Sequence, residues 1–166
     1  MPLDTRKFLS PVTALLLVLC AAQNTLAADA NSRLAELDAF WTELSRTVRE
    51  GDFEGMKATY HDDAVLASLK STTPIANALA RWKAGLDETK AGKRKASVQF
   101  RFSKRTGDAT TAYETGIFLY ATTGPDGKTE KAYVHFEDLL VKKGTWKTLM
   151  EFQKNEATQA EWDALR

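Results

Sequence analysis

Residues 131–155, KAYVHFEDLLVKKGTWKTLMEFQKN, alternate apolar and polar positions with period two on both sides of Lys142-Lys143-Gly144-Thr145. The pattern predicts two long strands joined by a tight turn. On the first strand Ala132, Val134, Phe136, Asp138 and Leu140 share one face, while Tyr133, His135, Glu137, Leu139 and Val141 share the other. On the second, strict alternation puts Trp146, Thr148, Met150 and Phe152 on the apolar face. An aromatic sheet face carrying one aspartate needs a cover, and the segments upstream supply it.

In residues 31–50, Leu34, Leu37, Trp41, Leu44 and Val48 recur at intervals of three and four, the stripe of an amphipathic helix. Gly51 is the expected stop. Asp52 then caps a second, short helix with Phe53, Met56 and Tyr60 on its buried side. His61-Asp62-Asp63 breaks the pattern and reads as a solvated turn before a short strand at residues 64–67. A third helix follows, with Thr73 as cap, Pro74 in its first turn and Ile75, Leu79, Trp82 and Leu86 on one face. Residues 90–95, KAGKRK, read as a solvated basic loop. Strands at 96–102 and 109–122 are separated by a turn at Thr106-Gly107-Asp108. Gly124-Pro125-Asp126-Gly127 then turns the chain into the hairpin described above. Residues 156–165 form a short terminal helix with Trp162 as its large apolar group.

Helices first and a strand meander afterwards predict an α+β fold: a cone-shaped, curved antiparallel sheet covered by three helices, with a cavity between the layers. Residues 29–166 suffice for one such domain. Residues 1–28 read as a secretory signal peptide. Arg6 and Lys7 precede the apolar run PVTALLLVLCAA, which is short for a bilayer span, and Thr25-Leu26-Ala27 supplies small residues for cleavage. The mature protein is then periplasmic or secreted, without stable membrane insertion. Cys20, the single cysteine of the chain, lies within that run and allows no internal disulfide. Its reading as a lipidation site is disfavoured by Leu19, where a small residue belongs. Without the leader's Asp4, Arg6 and Lys7, the 23 basic and 22 acidic residues come to a formal balance. Charge therefore gives no case for a nucleic-acid partner.

Two segments carry a family resemblance. Glu50-Gly51-Asp52 followed by Ala58-Thr59-Tyr60-His61-Asp62-Asp63-Ala64-Val65 resembles the early segment of the SnoaL-like branch of the nuclear transport factor 2-like superfamily. Phe136-Glu137-Asp138-Leu139-Leu140-Val141, the Lys142-Lys143-Gly144 turn, Trp146-Lys147 and Gln153 resemble the closing hairpin of that branch. The resemblance implies a cystatin-like roll with a conical pocket. It is nearly silent on activity, because the superfamily holds isomerases, cyclases, dehydratases and plain binding modules. In its ketosteroid isomerases a carboxylate base and an oxyanion-donating tyrosine do the chemistry. The same register puts Ser68 and Leu44 at those positions, so neither group is kept.

Among the remaining candidates Asp138 is the most pointed, an acid on an apolar face whose burial raises its pKa toward general-base use. The plainer alternative is a hydrogen-bonded carboxylate at the pocket floor. His135 is the candidate assistant, though it shares the other face with Glu137, where a surface or dimer-contact pair is the plainer reading. His61-Asp62-Asp63 invites a metal, but three adjacent residues do not all reach one ion. No metal or cofactor is expected. The aromatic residues exceed what a plain core needs, so Trp41, Tyr60, Trp82, Phe100, Tyr120, Phe136 and Phe152 are the expected pocket lining. Trp41, Tyr60, Trp82 and Asp138 are placed near the pocket mouth. The leading functional expectation is an exported domain that binds a small apolar or aromatic ligand without catalysis, as a homodimer through the outer sheet face. The alternative is an isomerase, dehydratase or cyclase with Asp138 as base.

Overall fold

The computed structural model describes residues 11–165, with side chains from residue 30 onward. Asp4, Arg6, Lys7 and Cys20, on which the signal-peptide reading rests, therefore lie outside the described residues or side chains. The element order is α1 (Pro11–Glu50), α2 (Phe53–Ala58), β1 (Tyr60–Ser68), β2 (Thr72–Pro74), α3 (Ile75–Lys90), β3 (Lys95–Gly107), β4 (Thr111–Thr123), β5 (Thr129–Lys143), β6 (Thr145–Glu156) and α4 (Gln159–Ala164). No helix of the described residues is long and apolar enough to cross a membrane.

The α1 stripe buries Leu37, Phe40, Trp41, Leu44 and Val48 against the sheet. Gly51 stops the helix with φ +66°, and the Asp52 carboxylate caps α2 by accepting from the Gly55 amide at 2.9 Å. The third helix starts differently from expectation. Thr72–Pro74 pairs with β1 as a short strand, Pro74 occupies the cap position, and no side chain caps the helix. Thr73 instead accepts a bond from the Asn77 amide at 3.3 Å. Likewise His61-Asp62-Asp63 lies inside β1, not in a turn before it.

All six strands form one sheet in the order β2-β1-β6-β5-β4-β3. Its pairings are antiparallel except β1 with β6, which run parallel. The long β3-β4-β5-β6 meander curls around α1, and α3 closes the side nearest β1. Burying one Leu or Phe side chain is worth about 1.5–3 kcal/mol. The shared core of helix stripe and inner sheet face, including Phe136, Leu140 and Trp146, therefore holds the roof onto the cone.

Candidate functional site

A cavity of about 320 Å³ lies between the curled sheet and α1, α2 and α3. Its size falls at the lower end of the range for small-molecule sites, roughly 300–1,000 Å³. Ala132 and Arg94 mark its accessible end and buried Phe136 and Asp138 its deep end.

Aromatic rings line most of it. Trp41 packs on Phe100 with centroids 4.4 Å apart, and Phe136 meets Phe100 edge-on at 5.7 Å. Tyr60 and Trp82 face each other at 6.4 Å on the helix side. Six of the seven expected lining residues, Trp41, Tyr60, Trp82, Phe100, Tyr120 and Phe136, come together on this one space. Trp41 and Asp138 sit at the deep end, only 4% and 3% exposed, not near the mouth.

Phe152 is the seventh, and it does not line the cavity. Leu139 pairs with Met150 while Leu140 pairs with Thr148, so Leu149 is an extra residue in β6. This bulge shifts the alternation by one. Beyond it Glu151 and Gln153 turn inward, and Phe152, paired with Glu137, lies on the outer face with Met150 displaced from the inner set. A single inserted residue thus replaces an expected phenylalanine by an acid in the cavity wall.

The consequence is a row of acids. Glu114, Asp138 and Glu151 are direct partners across β4, β5 and β6, a register that holds Cβ atoms about 4.5–5.5 Å apart. Glu114, fully buried, accepts from the Trp41 indole N–H and from Arg105, whose guanidinium also pairs with Asp38. Glu151 accepts from the Tyr60 hydroxyl and from the Gln153 amide, both at 2.6 Å. Asp138 has a hydrogen bond with Thr148, but its Oδ1 has no partner.

Burial pushes the Asp138 carboxyl well above the ordinary carboxylate range, and the charges of Glu151 and Glu114 push it further, against the Thr148 bond. Burial also raises Glu151, while the bonds from Tyr60 and Gln153 act the other way. Burial beside Glu151 lifts the Tyr60 phenol well above its usual value, so it remains a donor. The deep end can therefore both donate and accept a proton. A partnerless buried oxygen is least costly on a neutral carboxyl, which makes Asp138 the proton's natural seat.

His135 does not join this site. Even alternation along β5 turns it to the outer face, where Nε2 lies 3.4 Å from Glu161 Oε1 on α4. Its expected neighbour Glu137 instead binds Tyr113 and Lys154. His135 therefore has no geometric route to assist Asp138. Ser68 bonds within its own turn to Ser71, while Leu44 is a plain wall of the cavity. Among the described residues no group of three or more His, Cys, Asp or Glu is arranged to hold a metal ion.

Glu114, Glu151, Gln153 and Arg94 join the site beyond the residues that the sequence pattern predicts for it. For Glu114 a signal existed: period two along β4 puts it on one face with Gly116, Phe118 and Tyr120. For Glu151 there was none, because nothing local marks Leu149 as the bulge.

This architecture is the nuclear transport factor 2-like fold. A ketosteroid isomerase-like protein from Erwinia carotovora atroseptica superimposes with a TM-score of 0.57 at 19% identity, over 77% of this chain and 98% of its own. An NTF-2 like protein of unknown function from Shewanella oneidensis gives 0.58 at 13% identity, over 74% and 99%. A protein from Catenulispora acidiphila in complex with S-DNPA gives 0.58 at 18% identity, over 75% and 93%. No protein-family model and no curated protein matches the sequence.

Proposed function

We propose that the chain is a binding protein for one small, largely apolar or aromatic molecule, held between the aromatic walls and oriented by the acid pair at the deep end. The observation that carries this reading is the cavity itself, walled by seven aromatic residues and closed by Asp138 and Glu151. The similar Catenulispora acidiphila protein is in complex with S-DNPA, in keeping with a pocket fold. Export to the periplasm or beyond is part of the proposal and rests on the apolar leader of residues 1–28. So is a homodimer through the outer sheet face, where Tyr133, Leu139 and Val141 remain partly exposed.

The test is native mass spectrometry of protein purified from its own host, followed by titration with an environment-sensitive fluorescent dye. A retained small molecule or stoichiometric dye binding, lost in Ala132→Trp at the mouth, is the expected result. Dye binding indifferent to that plug would remove the cavity reading. A single-chain mass at high concentration would remove the dimer, and an unprocessed chain from the host would remove export.

A second reading, acid–base catalysis, is favoured by one observation: Asp138 and Glu151 stand side by side with Tyr60 donating to the latter. In it one carboxyl removes a proton next to a carbonyl and the other, still protonated, stabilises the oxygen. Its roles fall to Asp138, Glu151 and Tyr60, with His135 excluded. Hydrogen–deuterium exchange into cyclic ketones catalysed by the protein and abolished in Asp138→Asn would favour this reading over plain binding.

A further inference from the structure

Arg94 belongs to the basic KAGKRK segment that reads as a solvated loop, yet it is the member of that segment which turns inward. Lys93 and Lys95 on either side are exposed, whereas Arg94 is part of the cavity lining. Its guanidinium donates from Nη2 to the Tyr120 hydroxyl at 2.8 Å. Tyr120 is itself a cavity residue and keeps its own proton to donate.

Two further observations mark this as a seat and not a chance contact. The guanidinium rests on the middle of α3 at Gly85, where an added Cβ would come within 2.7 Å of Nη2. Glycine inside a helix costs about 1 kcal/mol relative to alanine, and here it opens the space in which the cation lies. Nor is the cation neutralised by a close carboxylate. Glu88 is its nearest acid at 3.9 Å and is itself more than half exposed, and Thr89 completes its contacts from 3.4 Å.

The cavity is thus polar at two ends and aromatic between them. One end holds a planar cation beside a phenol, its one carboxylate neighbour the largely exposed Glu88 at 3.9 Å; the other holds the acid pair. We propose that the ligand is a compact aromatic or alicyclic carboxylate, its carboxylate on Arg94 and Tyr120 and a carbonyl or hydroxyl group at its far end on Asp138 and Glu151. This rests on the reading of the cavity as a small-molecule site and names the class of molecule it takes. A guanidinium fork matches a carboxylate in shape as well as charge, which a lysine would not. The reverse orientation would put the ligand's carboxylate against the acid row, at the cost of like-charge repulsion in a buried site.

The experiment measures binding of naphthoate and naphthol at neutral pH by quenching of tryptophan emission, with calorimetry as a check. Both share one fused-ring body, so they differ in the anionic group. The expected result is naphthoate binding about tenfold or more tighter than naphthol. Arg94→Gln should erase that preference. Gly85→Ala, which keeps the charge but displaces the guanidinium, should weaken the preference as well and decides the matter if Arg94→Gln fails to fold. Equal binding of the two probes by the parent protein, or a preference that survives in both variants, overturns the proposal and leaves the cavity reading standing. Binding of neither probe by the parent protein overturns both.

Discussion

Asp138 lies directly opposite Glu151 across the β5–β6 ladder, and both carboxyls line the same aromatic cavity. Two acids at that separation in a poorly solvated wall resist ionising together. The next strand adds Glu114 in the same row, but Arg105 and the Trp41 indole compensate that group. The proton therefore belongs to the Asp138–Glu151 pair, and Tyr60 and Gln153, which bind only Glu151, bias which of the two gives it up.

Stability should fall with rising pH because of this pair. In the folded chain Asp138 holds its proton above the unfolded value of about 3.9. Between the two values the native state binds more protons than the unfolded one, so stability is lost as pH rises through that window. Each unit of elevation is worth about 1.4 kcal/mol. Asp138→Asn removes the loss: its melting temperature should gain on the parent's progressively from pH 4 upward. Melting curves that run parallel at every pH would refute the proton assignment.

The Tyr60 hydroxyl holds Glu151 down. Its bond favours the charged carboxylate, opposing burial. Tyr60→Phe removes that bond with little change in shape, and the pair should then titrate at higher pH. Carboxyl carbon resonances followed by NMR give the answer. An unmoved midpoint would mean that Gln153 alone sets the bias.

Much of this was legible in the sequence because a buried face repeats. The α1 stripe of Leu37, Trp41, Leu44 and Val48 and the β5 set Phe136, Asp138 and Leu140 are buried where their periods put them. Sequence pattern and structure part where one residue breaks a period. With Leu149 inserted, Phe152 goes outward and Glu151 inward, a change that depends on how β5 pairs and not on any local feature of β6. Arg94 was hidden for a different reason. A run of basic residues looks uniformly solvated, and only the space at Gly85, nine residues earlier, distinguishes one member from the rest.

Glu114 should prove the more costly of two acids that bind Arg105. It is fully buried and serves both Arg105 and Trp41, whereas Asp38 is 62% exposed on its side chain. Glu114→Gln keeps the shape but turns an N–H group toward the pair and leaves buried positive charge poorly compensated. Breaking a buried pair costs about 3–5 kcal/mol, and the loss here belongs near the low end because Asp38 still holds Arg105. Asp38→Asn should cost about 1 kcal/mol or less. Urea unfolding measures both, and Trp41 emission should shift in the first variant alone. Equal losses would deny the burial argument.

The cone's curvature should depend on Gly116. It pairs with Phe102 on one side and Phe136 on the other, next to the irregularity where β3 shifts register between Phe102 and Lys104. A Cβ there would stand 2.0 Å from the Arg101 carbonyl oxygen and 2.9 Å from Phe102 Cα. Both are backbone atoms, so no side-chain rotation relieves the clash and the two strands must part. Gly116→Ala should therefore cost about 1–3 kcal/mol, the usual range for overpacking, and flatten the sheet where it bends round Trp41. Flattening moves Phe100, Phe102 and Phe136 away from the indole, so probe affinity in the cavity should fall along with stability. Ala112→Gly, at a buried position at the start of β4 and outside the cavity lining, should lower stability while leaving probe affinity unchanged. If the two variants affected binding alike, curvature at Gly116 would not be what shapes the cavity.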